Sequence, residues 1–183
     1  MNFFKYILIG LLFASVGEGL IWFFVGDVRG YVFATFMYAC ILVVAFFFGK
    51  LIDKLIKKKA VTDIVYFLLF GFIGLMTEWA IGNSPWSNPN AGQFSMFVFH
   101  ATTYFMPRLF LDKRKWVGKI KKWILRYFVI YFILVFLGLF FFVRSLPPDQ
   151  IVGWLAFLSF IVGYNVLVIF YLWYFIKNFR AKR

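Results

Sequence analysis

Six apolar stretches, each close to the length of a membrane-crossing helix, make up most of this chain. A helix needs ~20 mostly apolar residues to cross ~30 Å of hydrocarbon. Lipid offers the backbone no hydrogen-bond partners, so an apolar span must close its bonds within its own helix or within a barrel. The stretches cover roughly 4–25, 30–49, 62–82, 93–111, 124–143 and 151–176. They predict an all-α, polytopic membrane bundle of six transmembrane helices, forming one integral membrane domain over 1–183. The chain is 64% hydrophobic with a mean hydropathy of +0.87, whereas a soluble domain is nearer half apolar. No length is left for a soluble catalytic domain. The first apolar run continues past Ala14 and Ser15 to Val25, so it reads as a retained span and not a cleaved leader.

The charges orient the bundle. The formal net charge is +13, which in a soluble protein would point to nucleic acid. Here the basic residues sit in short loops between spans, so a nucleic-acid partner is not expected. Of the 20 Lys and Arg, only Arg29 and Arg144 fall outside one set of connections. That set comprises Lys5, the lysines of 50–59, the cluster over 108–126 and the tail from Lys177 onward. Positive residues stay on the cytoplasmic side, so both termini are expected to be cytoplasmic. The segment 51–59 alternates apolar residues with lysines and reads as a helix extension on the inner interface, facing anionic lipid headgroups. Trp22, Trp79, Trp86 and Trp154 fall near the outer face and Trp116, Trp123 and Trp173 near the inner one, as aromatic belts do. The expected location is a prokaryotic cytoplasmic membrane.

Against this background two glutamates stand out. Glu18 and Glu78 interrupt the first and third spans, where a charge costs roughly 2.5–3.5 kcal/mol on insertion scales. Tyr6 precedes Glu18 by twelve residues, and Tyr66 precedes Glu78 by the same interval. The match hints at a parallel repeat. Twelve helical residues rise ~18 Å, so both glutamates are expected ~10 Å below the outer face. His100, the single histidine, is expected at the same depth in the fourth span. The glutamates lie on small-residue stripes, Gly10-Ala14-Glu18 and Gly71-Gly74-Glu78, which mark helix-packing faces. Thr103 shares a face with His100, and Pro107 is expected to kink that helix. Asn165 is expected deeper, ~20 Å from the outer face, most simply as interhelical glue. Arg108 is expected to snorkel to the inner interface. The uncharged loop 82–92, with Asn83, reads as a rigid turn or as an outer cap over a cavity.

These residues point to a polar pocket in the outer half, with Glu18, Glu78, Trp79, Asn83, His100, Thr103 and Asn165 as its ligand-binding set. Burial favours the neutral form of a carboxyl group, which suits proton coupling. The leading expectation is binding or transport of a proton, a cation or a small polar solute. A second is a membrane-embedded enzyme acting on a lipid or isoprenoid, with Glu18, Glu78 and His100 as acid–base groups. A third is an accessory subunit whose glutamates meet a partner chain or a second copy. One cysteine and one histidine give no metal-ligand spacing, and neither a metal nor a cofactor is expected.

Overall fold

Asp27 begins the most clearly capped helix of the bundle, its carboxylate accepting from the Gly30 amide at 2.9 Å. Gly26 just before it adopts a φ of 73°, a left-handed conformation that closes the preceding helix at little steric cost. Helix α1 (Phe3–Val25) and helix α2 (Val28–Leu55) therefore form a tight hairpin. A computed structural model describes residues 2–81, 91–142, 145–147, 150 and 162–180. The side chains of 18–25, 81, 91–92, 132, 135–136 and 138–140 lie outside that description. Four more helices follow: α3 (Lys59–Ile81), α4 (Ala91–Leu111), α5 (Lys115–Phe142) and α6 (Leu167–Arg180). Among the described residues there is no strand.

Helix α4 is the centre of the bundle. Its residues from Val98 to Leu109 are almost all buried, and it packs chiefly against α1 and α3. Pro107 sits inside it, yet the helix runs on to Leu111. The glycines expected on packing faces are where neighbours come close. A Cβ on Gly74 would lie 2.1 Å from the His100 ring, and one on Gly71 would lie 2.4 Å from Phe97.

Polar and apolar residues are distributed as for a surface in contact with hydrocarbon. Thr62, Asp63, Ser95, Thr102, Arg108 and Asn178 are buried, while Phe36, Phe72, Leu134, Phe141 and Leu172 are exposed. Helix α6 has this polarity along its own axis. Tyr171, Tyr174 and Asn178 face inward at i+3/i+4 steps, and Ile169, Leu172, Ile176 and Phe179 face outward. By length and composition two described helices can cross a membrane, Val28–Leu55 and Lys59–Ala80, with mean hydropathies of 2.3 and 1.9.

Two boundaries differ from expectation. The segment 112–123 is mostly not a loop, because α5 starts at Lys115. The stretch expected as a single helix over 151–176 is not continuous in its described part. Residues 162–164 form one wide π-type turn, 165–166 turn again, and α6 starts at Leu167. The Tyr127 hydroxyl donates to the freed carbonyls of Val162 and Gly163, at 3.2 and 2.7 Å. That supply of donors is what allows irregular backbone inside a bundle. Nothing in a uniformly apolar segment announces it.

The close packing gives a paired prediction. Gly74→Ala should lose about 1–3 kcal/mol of stability, since neither the helix nor the His100 ring has room to yield. Gly118→Ala, where an added Cβ meets nothing within 4 Å, should be neutral or gain up to ~1 kcal/mol from helix propensity. Thermal unfolding of the purified protein should place Gly74→Ala below wild type and Gly118→Ala at or above it.

Candidate functional site

Helices α3 and α4 bring Glu78 and His100 together. His100 Nε2 lies 3.3 Å from Glu78 Oε1, within ion-pair reach, though the alignment falls short of a good hydrogen bond. The imidazole side chain is 2% exposed and the carboxylate 22%. Gly74, one turn below Glu78, makes room for the ring. Tyr104 lies nearly parallel to the imidazole with ring centres 6.3 Å apart, and Tyr38 and Phe99 pack beside it. His100 Nδ1 and Thr103 Oγ1 are buried without a hydrogen-bond partner among the described residues. Two polar atoms without partners one helical turn apart, beside an acid–base pair, can accept or release protons or hold a small polar group.

Other members of the expected set fall elsewhere. The Glu18 side chain and all of Asn83 lie outside the described residues. The backbone of α1 still places residue 18. Tyr6 and Tyr66 are hydrogen-bonded to each other through their hydroxyls. Glu18 and Glu78 each lie twelve residues farther along their helices, so both α-carbons sit ~18 Å above that contact. Trp79 is 52% exposed and lies on the surface beside the site. Asn165 donates to Ser95 Oγ at 2.9 Å. Ser95 precedes His100 by five residues, ~7.5 Å of rise, so Asn165 lies nearer the Ala91 end of α4 than His100 does. The deeper placement expected for it assumed an unbroken helix from residue 151.

A second constellation, at the other end of α4, was not expected. Arg108 does not snorkel: its side chain is 4% exposed. It grips Asp53 with two prongs at 2.6 and 3.2 Å and reaches Asp63 at 3.3 Å. The Asp63 side chain is fully buried. It also accepts from Lys59 Nζ at 3.3 Å, Tyr174 Oη at 2.8 Å and Asn178 Nδ2 at 3.1 Å. Alongside, Arg114 chelates Asp112 and donates to Asn178 Oδ1 at 2.5 Å. Lys121 Nζ caps the end of α4, donating to the carbonyls of Phe110 (2.6 Å) and Asp112. Burial opposes ionisation of Asp112, but the Arg114 hydrogen bonds and charge outweigh it and hold this carboxyl below the usual range. Burial also lowers the Lys121 ammonium pKa, only partly offset by the charge of Asp112.

The tyrosines join the two ends. The Arg108 guanidinium lies 4.6 Å from the Tyr66 ring centre. The Tyr66 hydroxyl also lies 3.1 Å from the Ala45 carbonyl and the Tyr6 hydroxyl 3.0 Å from the Tyr104 carbonyl. With one proton each, one hydroxyl donates to its carbonyl while the other donates to its tyrosine partner. A signal for the inner cluster was present in the sequence. Three of the seven acidic residues, Asp53, Asp63 and Asp112, border the basic loops, where a topology anchor has no use for them. No family model, curated protein or solved structure matches the chain.

Two predictions follow from the inner cluster. Arg108→Gln should destabilise by about 3–5 kcal/mol, because it strips the main counter-charge from a fully buried carboxylate. Adding Asp63→Asn should restore part of that loss, and a strictly additive double variant in thermal unfolding would contradict the pairing. Asp112 has a lowered folded pKa, so its stabilisation is fully present above about pH 4 and is lost as pH falls through the lower folded value. Asp112→Asn should therefore flatten that acid limb of the stability profile, read by tryptophan fluorescence.

Proposed function

We propose that this is an integral membrane protein of six spans, with both termini cytoplasmic. In this reading it takes up a proton at Glu78–His100 from the outer side and couples it to the binding or movement of a cation or small polar solute. The observation that carries the reading is the 3.3 Å contact between a buried imidazole and a partly exposed carboxylate. Intramembrane ionisable residues are costly and are functional by default. Glu78 is the more accessible of the two, so it meets the incoming proton first. Transfer from the Glu78 carboxyl to His100 Nε2 leaves a carboxylate beside an imidazolium, an ion pair that attracts where the neutral pair did not. Glu18, at the same height on α1, is the second carboxylate within the same layer.

The inner end supports an outward-opening arrangement. The Tyr6–Tyr66 bond and the Arg108 cluster close the space below His100. A cation descending from the outer side meets the fixed positive charge of Arg108, so passage requires that cluster to rearrange. The burial of polar groups beneath an apolar exterior supports the bilayer setting. The basic loops support the orientation.

The test is proton uptake by proteoliposomes holding a pH-sensitive dye, under an imposed membrane potential. Glu78→Gln should slow uptake on the order of a hundredfold, as expected for loss of a positioned acid–base group. His100→Gln should do the same, and both should unfold near the wild-type temperature. Uptake at the wild-type rate in the Glu18→Gln/Glu78→Gln double variant would sink the reading.

A further inference from the structure

Apart from the polar constellations, α1 and α2 leave an open groove of about 530 Å³ between them. Ile7, Leu8 and Leu11 of α1 form one wall, and Ala39, Cys40 and Val43 of α2 form the other. Leu8 is exposed, so the groove faces the surroundings of the bundle. Its length and its charge together say what fits.

One face of α2 carries Ala39, Val43, Phe47, Lys50 and Lys54 in succession, by i+3/i+4 steps. Ala39 and Lys50 are eleven residues apart, ~16.5 Å of rise. One leaflet of hydrocarbon is ~15 Å deep, half of the ~30 Å core. The groove therefore reaches about to the midplane when Lys50 stands at the headgroup level. Phe3, at its lower end, packs against Phe46 and Phe47 with ring centres 5.0 and 6.2 Å apart. Below those rings the surface turns cationic. Lys50 Nζ lies 4.5 Å from the Phe46 ring centre, and Lys50, Lys54 and Lys5 are all exposed. Asp53, the acidic residue between the two α2 lysines, is held by Arg108. The exposed apolar face of α2 runs on beyond the groove through Phe36, Val32 and Val28, so it is the cationic end that chooses the occupant, since an apolar partner helix makes no use of Lys50 and Lys54. A groove one leaflet deep with a cationic mouth suits an acyl chain joined to a phosphate.

We propose that this groove is a binding site for an anionic phospholipid of the inner leaflet. One acyl chain lies along Ile7, Leu11, Ala39 and Val43, and the phosphate meets Lys50 and Lys54. The site rests on the membrane reading above and is independent of any role for Glu78 and His100.

Native mass spectrometry of the detergent-purified protein tests it, with phosphatidylglycerol and phosphatidylcholine of identical chains offered in equal amounts. Wild type should retain phosphatidylglycerol in preference to phosphatidylcholine. Lys50→Gln/Lys54→Gln should lower that preference roughly thirtyfold, the ~1 kcal/mol per lysine expected near an anionic surface. The charge-matched Lys115→Gln/Lys119→Gln should keep it. Ala39→Trp, which fills the groove, should remove the retained lipid of both kinds while unfolding near the wild-type temperature. Equal retention of both lipids by wild type overturns the proposal, as does a preference that survives loss of Lys50 and Lys54. Loss of the preference in the charge-matched control, or lipid retention unchanged by Ala39→Trp, also overturns it. Failure of the chain to float with alkali-washed liposomes would instead refute the membrane reading itself, and loss of proton uptake alone would leave the lipid site standing.

Discussion

Arg108 is the point on which the bundle turns. It stands near the end of the central helix, where it holds Asp53 of α2 and Asp63 of α3 at once. A buried guanidinium cannot shed its proton, so carboxylates must come to it. Those contacts tie three helices together at that end, and Tyr174 and Asn178 bring α6 to the Asp63 carboxylate. Lys121 ties the start of α5 to the last carbonyls of α4. The approach is close: a Cβ on Gly49 would come within 2.8 Å of the guanidinium. Apolar packing between helices is non-directional. A geometrically demanding charge cluster supplies the direction that packing does not.

The middle of α4 and its C-terminal end differ in a way that bears on function. At the Arg108 end carboxylates, bases and hydroxyls from several helices satisfy one another, which is the pattern of a structural clamp. Around the middle of α4 His100 and Thr103 keep polar atoms without partners among the described residues, and the carboxylate beside His100 reaches the surface. A clamp gains from complete pairing, whereas a site that binds and releases needs unused capacity. The Tyr6 and Tyr66 hydroxyls, beside the Arg108 cluster, share their two protons between each other and the Tyr104 and Ala45 carbonyls.

Much of the helical frame was legible because an apolar run has only one common way to satisfy its backbone in lipid. The boundaries of α1, α3 and α4 follow from where apolar sequence begins and ends. The glycine stripes pointed to the faces where Phe97 and His100 pack, since only small residues permit that approach. The expected equal depth of Tyr6 and Tyr66 agrees with the hydroxyl contact between them. Other features were hidden. The turn at 162–166 has no proline to signal it and depends on the Tyr127 hydroxyl arriving from α5. Arg108 read as a snorkelling side chain because its distance from the chain's charged loops suited that, and the acids that hold it are 45 and 55 residues away.

Hydrophobic run length, basic-loop placement and the rarity of acids within the spans are local properties, and they already contain the helical class, the expected orientation and the pairing of Glu78 with His100 as a candidate. Which side chains meet is a property of several helices together. The lateral arrangement of the helices, the seat of Arg108 between two aspartates and the level at which Asn165 finds Ser95 all depend on it. A contact between distant residues is set by how neighbouring helices rotate and slide, and no periodicity along one helix records that choice. Hydropathy gives the helices their depth, while the buried charge and hydrogen-bond pairs give them their neighbours.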